Sequence, residues 1–271
     1  MRRRRQKQKS LKTDIRLGAR LGFSNLAELE NIISEVDFSV ELALPHLTSD
    51  FARVADRIPD IRDTVKAAGI EVLSVHAPQG DLAAEDYRTW AEPTLWLAKQ
   101  LGAKSVTLHP PNARKQRTIH QATFMRHLRE LQQKSRIVIA VETFLGKRRV
   151  LHPNEVVGLN IPMVLDTSHI HDQEYILTLL REYCQNIPTV HLSSWNEKEQ
   201  HLPIDRFCLR VVRLLARSSW CGSIILEYLP WHRYRVKDDL LLLRKFLAGE
   251  QVTVLPRDDR YRHDPSRWRF A

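Results

Sequence analysis

Six short apolar runs in this chain each end in an imidazole or a carboxylate. They are SVHAP at His76, VTLHP at His109, IAVET at Glu142, VLDTSH at Asp166 and His169, TVHLS at His191, and IILEY at Glu227. Imidazole nitrogens and carboxylate oxygens are the donors that divalent metals take from proteins, with zinc and manganese the first choices here and magnesium or cobalt also compatible. A buried strand is a costly place to leave either group without a partner. A single histidine at a strand end is usually held by an ordinary hydrogen bond; six such endings in succession point to a metal. Glu142 and Glu227 close strongly apolar runs, so each calls for a cation. Asp166 and His169 are three residues apart and can leave one strand end together, although Asp166 could instead cap a helix beginning near Gln173. After His109, Pro110 and Pro111 impose an extended exit.

The elements that must position these groups alternate along the chain. Strand-like runs lie near residues 15–20, 36–43, 72–77, 105–109, 137–143, 162–167, 188–193 and 223–228. Between them, LAELENIISEV, FARVADRIPDIRDTVKAAG, PTLWLAKQLGA, HQATFMRHLRELQQKS, EYILTLLREYCQNI and IDRFCLRVVRLLARSSW carry helical periodicity. Gly69 and Gly102 stand where helices should stop in a left-handed turn before the next strand. Strands rich in Val, Ile and Leu without alternation suit a parallel sheet covered on both faces. Eight βα units therefore predict an α/β fold, a closed (β/α)8 TIM barrel over residues 13–250. An open doubly wound sheet is the alternative, but no GxGxxG follows the first strand. In a barrel the C-terminal ends of the strands converge on one mouth, which would bring the six runs together.

At 271 residues and 43% hydrophobic composition, the chain can bury a full core. No apolar stretch approaches the roughly 20 residues of a membrane span, and the basic N-terminus has no apolar segment behind it, so a soluble, cytoplasmic protein is expected. The net charge of +10 sits mostly in the tails. Residues 1–12 hold seven Lys or Arg and no acid, and residues 251–271 hold five Arg against three Asp, which leaves the body close to neutral. We read the first as a solvated, disordered tail and the second as an Arg-rich extension; both could attract nucleic acid. The three cysteines, without CxxC spacing, read as reduced core thiols. Arg114, Lys115 and Arg117, then Lys147, Arg148 and Arg149, then Arg233, Arg235 and Lys237 follow strands 4, 5 and 8, where barrel loops rim the mouth. Arg148, Arg149, Arg233 and Arg235 are candidate contacts to an anionic substrate, with Trp195 as a candidate stacking surface.

The succession VHAP, TLHPP, VETF, LDTSH, VHLSSW with EQHLPID, and LEYLP resembles the xylose-isomerase-like barrel superfamily over roughly residues 13–248. That superfamily includes sugar-phosphate isomerases and epimerases and the endonuclease IV class of apurinic endonucleases. The resemblance implies that Glu142, Asp166, His191 and Glu227 bind a central divalent metal. The endonuclease branch adds counterparts of His76, His109, His169, Glu199 and His201, with Glu199 where that branch usually has Asp. One to three ions per chain are implied. With one ion, the implied chemistry is isomerisation or epimerisation of a sugar or sugar phosphate through a cis-enediolate, with Glu142 and Glu227 exchanging protons on the substrate. With more, it is zinc-dependent phosphodiester hydrolysis at apurinic sites in DNA. Compact mouth loops favour the first, while the full histidine set and the cationic tails favour the second. A barrel that keeps its metal but not its catalysis is a third reading, and pairing into homodimers is common among such barrels.

Overall fold

A computed structural model describes residues 14–22, 38–45, 57–111, 117–145 and 151–254. Eight strands, β1 (Arg16–Gly22), β2 (Ser39–Ala43), β3 (Val72–His76), β4 (Ser105–Leu108), β5 (Val138–Glu142), β6 (Met163–Asp166), β7 (Thr189–Leu192) and β8 (Ser223–Leu226), pair in parallel in sequence order. β8 returns to β1 through Arg16↔Ser223 to Ala19↔Leu226, so the sheet closes as the TIM barrel expected.

The described helices are α1 (Ile58–Ala67), α2 (Arg88–Leu101), α3 (Arg117–Lys134), α4 (Pro153–Gly158), α5 (Gln173–Tyr183), α6 (Arg206–Arg217) and α7 (Val236–Leu247), with 3-10 turns at Cys184–Asn186 and Pro230–Arg235. Local chemistry explains their ends. Asp172 and Asp205 accept from the backbone N–H of Tyr175 and Cys208 at 3.0 Å and so cap α5 and α6. Gly69 and Gly102 take φ of +66° and +71° after α1 and α2, a conformation that costs glycine little. Periodicity missed α4, which is short, and α7, whose run of four leucines hides the helical spacing of buried Val236, Leu240, Leu243 and Leu247. The stretch LAELENIISEV lies outside the described residues.

Strand alternation separates two environments. Val40, Leu42, Val75, Val106, Leu108, Ile139, Val141, Val190, Leu192, Ile224 and Leu226 join the helices in one apolar core between barrel and helix layer. Glu41, Ser74, His76, Thr107, Glu142, Asp166 and His191 are buried on the opposite side, in the lumen. A bulge at Leu73 keeps this division along β3, where pairing passes from Val40↔Val72 to Glu41↔Ser74. Of the cysteines, Cys208 is buried as expected, Cys184 is half-buried and packs against the core, and Cys221 is exposed just before β8. Among the described residues no helix is long and apolar enough to cross a membrane.

Candidate metal centre

The strand ends deliver their polar groups into a common volume. Glu142, the last residue of β5, places Oε2 2.8 Å from His109 Nε2 and 3.6 Å from His76 Nε2. Its other oxygen, Oε1, lies 2.8 Å from His191 Nδ1. The same imidazole nitrogen is 3.0 Å from Glu227 Oε2 and 3.9 Å from Asp166 Oδ2. Glu142, Asp166 and His191 are each at most 1% exposed, so these contacts form in a low-dielectric lumen.

Two loops add further nitrogens. His169 follows β6, with Nδ1 3.4 Å from Asp166 Oδ2. Phe144 stacks on its ring at a centroid distance of 4.0 Å. His201 stands on a small hairpin after β7 closed by the antiparallel bridge Ser194↔Leu202. Its left-handed backbone, φ 53°, aims the ring inward, with Nδ1 4.0 Å from Asp166 Oδ2 and Nε2 3.2 Å from His169 Nε2. Asp166 therefore does not cap α5, which Asp172 does. Its Oδ1 accepts from the Ser168 N–H at 2.7 Å and the Ser168 hydroxyl at 2.8 Å, and its Oδ2 faces the histidines.

Two charged groups facing this centre, Glu41 fully buried and Arg20 half-buried, are not signalled by the strand ends. Glu41 lies mid-strand in β2, where its Oε2 accepts from Ser74 Oγ at 2.5 Å and Thr107 Oγ1 at 3.1 Å. Arg20, on β1, pairs with Glu227 Oε1. Their only signal in the sequence is a charge inside an otherwise apolar run, which also fits a surface strand. The groups polarise one another. Burial alone would push the Glu142 carboxyl up, but His109, with His191 and His76, holds it well below the usual carboxylate range. Burial likewise opposes charge on Glu227, yet Arg20 and His191 hold it well down. Against the same penalty, His191, His76 and Arg20 bring Glu41 down to about 2. Burial would lower His191, but Glu41, Glu142 and Glu227 raise it well above the ordinary imidazole value. For His76, burial and the nearby Arg20 win and lower it.

The lumen fits divalent ions on its own chemistry. His76 Nε2, Glu142 Oε2, Asp166 Oδ2, His169 Nδ1 and Glu227 Oε2 are buried, meet only one another and neighbouring imidazoles at ion-pair distance, and make no well-aligned hydrogen bond, a state that proteins otherwise avoid. Donor atoms gather within 4.8 Å of one another in the groups His76, His109 and Glu142; Glu142, Asp166, His191 and Glu227; and Asp166, His169 and His201. Glu142 and Asp166 each belong to two of these groups, so neighbouring ions would share carboxylates. Nitrogen and oxygen donors in this mixture suit zinc or manganese.

Residues 38–246 match the family of xylose isomerase-like TIM barrels. The chain belongs to that family. By sequence, no curated protein matches it. Among solved structures it is similar to 3-keto-D-glucoside 4-epimerase from E. coli, with a TM-score of 0.63, 14% identity, and coverage of 85% of this chain and 99% of that one. It is also similar to endonuclease IV from Thermus thermophilus, with a TM-score of 0.56, 19% identity, and coverage of 83% and 98%. A third similar structure is another Thermus thermophilus protein, soaked with zinc chloride, at 0.56, 20% identity, and coverage of 89% and 100%. At these identities the likeness establishes the fold.

Within this xylose isomerase-like barrel, eight of the nine residues expected as metal ligands come together: His76, His109, Glu142, Asp166, His169, His191, His201 and Glu227. Glu199 joins none of the groups; it lies at the hairpin tip, where its N–H bonds Asn196 Oδ1 at 2.8 Å. Arg235, expected as a substrate contact, is instead buried and donates from Nη2 to Asp239 Oδ1 at 2.8 Å. That carboxylate also accepts from the Tyr228 hydroxyl at 2.8 Å, so Asp239 ties α7 to the segment just after β8 and Arg235 braces Asp239 from its own turn. Arg233 is half-buried in the 3-10 turn before α7. Trp195 is half-buried on the hairpin and stacks with His171 at 5.9 Å and 6°. Arg148 and Arg149, with Lys147, Arg114 and Lys115, lie outside the described residues.

Proposed function

We propose that this chain is a divalent-metal-dependent phosphodiesterase whose centre holds at least two ions. One observation carries the reading: Glu142 directs one oxygen to His191 and the other to His109 and His76, which is the arrangement of a carboxylate shared between two metal sites. An enediolate mechanism asks Glu142 to keep an oxygen for the substrate carbon, and asks the same of Glu227, whose Oε1 is paired with Arg20. The sequence alone favours isomerisation; this commitment of both carboxylates reverses the order.

His76, His109 and Glu142 would hold one ion, and Glu142, Asp166, His191 and Glu227 the next. Bound divalent ions supply Lewis-acid polarisation of a phosphoryl oxygen and make an attacking water more acidic at neutral pH. The protein's own part is to fix these donors in a buried lumen. Arg20 holds Glu227 in place, and Phe144 supports the His169 ring. A nucleic-acid phosphodiester is the substrate class we favour, because the basic residues 1–12 would add salt-sensitive affinity for a polyanion and Trp195 offers a stacking surface. Isomerisation of a sugar phosphate stands second, supported by Glu142, Asp166, His191 and Glu227 forming a complete single-ion set.

Metal content by plasma mass spectrometry, followed by paired assays on abasic-site duplex DNA and on a ketose and sugar-phosphate panel, tests the proposal. Two or more zinc or manganese ions per chain with strand cleavage supports it. One ion with ketose turnover and no cleavage overturns it in favour of the isomerase.

A further inference from the structure

The ring of His191 is gripped from both sides. Nδ1 faces the ligand carboxylates Glu142 and Glu227 at 2.8 and 3.0 Å, and Nε2 faces Glu41 Oε1 at 3.0 Å. Glu41 is itself firmly held: it has no exposure, and Ser74 on β3 and Thr107 on β4, the next strand beyond, donate to its Oε2. Its remaining oxygen, Oε1, and His191 Nε2 are both buried with no hydrogen bond elsewhere, and they meet at ion-pair distance. A metal-binding histidine is normally oriented by an acceptor on its far nitrogen, which fixes the tautomer and raises the basicity of the donor nitrogen. His76 shows the uncharged version of this arrangement, with Nδ1 donating to the Ala77 carbonyl at 3.0 Å and Nε2 turned to Glu142.

We propose that Glu41 is the positioning carboxylate of the centre: it holds His191 with Nε2 protonated and Nδ1 presented to the ion in the Glu142, Asp166 and Glu227 group. The assignment rests on the metal reading above. It differs from a ligand role for Glu41 itself, since an ion among Glu41, His76 and His191 would take His76 Nε2 away from the group it forms with His109 and Glu142. A β2 carboxylate thereby sets the affinity of an ion it does not touch, and Ser74 and Thr107 act one step further out by anchoring it.

The test uses full-length protein stripped with chelator and reloaded with zinc. Competition with a chromogenic chelator gives the affinity of each ion, and long-range proton–nitrogen spectra of 15N-histidine-labelled protein report the His191 ring, assigned by comparison with His191→Asn. For Glu41→Gln, nearly isosteric, the expected result is a roughly 10- to 100-fold weaker ion at an unchanged stoichiometry, with His191 no longer in a single tautomer. Thr107→Val, which removes one anchor and leaves the charge, should shift both readouts the same way by a smaller amount, so the assignment can be tested even if Glu41→Gln folds poorly. Unchanged affinity and unchanged His191 signals in both variants, in a background where the wild type loads normally, overturn the assignment alone. Loss of one whole equivalent of metal in Glu41→Gln also overturns it, because Glu41 would then be a ligand. A wild-type chain that takes up neither zinc nor manganese overturns the metal reading and this assignment with it.

Discussion

The two ends of the barrel use similar polar residues to opposite ends. At the N-terminal ends of the strands, Glu71 gathers its counterparts: Ser39 Oγ donates at 2.8 Å, Lys104 Nζ lies at 3.3 Å and Arg16 Nη1 at 3.5 Å. Trp220 there donates to the Ile187 carbonyl at 2.7 Å, beside a cavity of about 290 Å³ bounded by Leu73, Val138 and the hydroxyl residues Ser105, Thr189 and Ser223. At the C-terminal ends, carboxylates and imidazoles crowd together in near-complete burial with several donor atoms unpartnered. Among the described residues the floor pairs its charges within itself, with only Arg16 Nη1 short of a hydrogen bond, whereas the mouth leaves a cluster of donor atoms to be settled by something it binds. Buried polarity marks function only where it is uncompensated, and the variants that separate these roles differ widely in expected effect.

The largest effect belongs to Glu142→Gln, which removes the carboxylate shared by two ligand groups. Activity should fall on the order of 10²- to 10⁴-fold with at least one ion lost, while circular dichroism stays that of the wild type. Retained turnover with full metal would break the contrast between mouth and floor outright. His76→Ala and His109→Ala sharpen it. Each should strip one ion and most hydrolysis from a multinuclear centre, whereas a single-ion isomerase would keep its metal and much of its turnover. Metal content and kinetics measured on the same preparations decide between them.

The strands were legible to within about three residues at their ends, because most of these parallel strands are short apolar runs bounded by turn residues. The cluster of candidate ligands was legible because every member except His169 and His201 sits at or beside a strand end, where an imidazole or carboxylate stands out against Val, Ile and Leu. Glu41 and Arg20 were not, since a charge in the middle of a strand looks the same whether it faces a lumen or water, and only barrel closure decides. Arg235 was misplaced for the converse reason: in PWHRYR it reads as a loop cation, and its partner Asp239 becomes a neighbour only once Val236–Leu247 coils into a helix. Glu199 matched a ligand position in the run of residues, but it closes the turn begun by Asn196 and joins none of the ligand groups.

On the floor the effects should appear in stability and spare the chemistry. A methyl group on Gly222 would sit 2.1 Å from Trp220 Cζ2 and 2.6 Å from the Pro188 carbonyl oxygen, and the backbone oxygen cannot swing away. Gly222→Ala should cost about 1–3 kcal/mol by overpacking, read as a lower urea midpoint, with kcat/KM per folded molecule unchanged. A loss of activity larger than the loss of folded protein would mean that the floor communicates with the mouth.

The smallest effect is expected at Glu71, whose ion pairs are partly exposed and screened. Glu71→Gln should change stability by no more than about 1 kcal/mol and less in high salt. Partial burial pushes the Glu71 carboxyl up, but Ser39, Lys104 and Arg16 outweigh it and leave the group below its ordinary value. A carboxyl depressed in the folded state stabilises above its unfolded pKa, and that contribution drains away as pH falls through the folded one. The difference in urea midpoint between wild type and Glu71→Gln should therefore be present at neutral pH and shrink below the ordinary glutamate range. A difference that instead grew in acid would mean that the carboxyl is held protonated, and the floor would then share the uncompensated character that distinguishes the mouth.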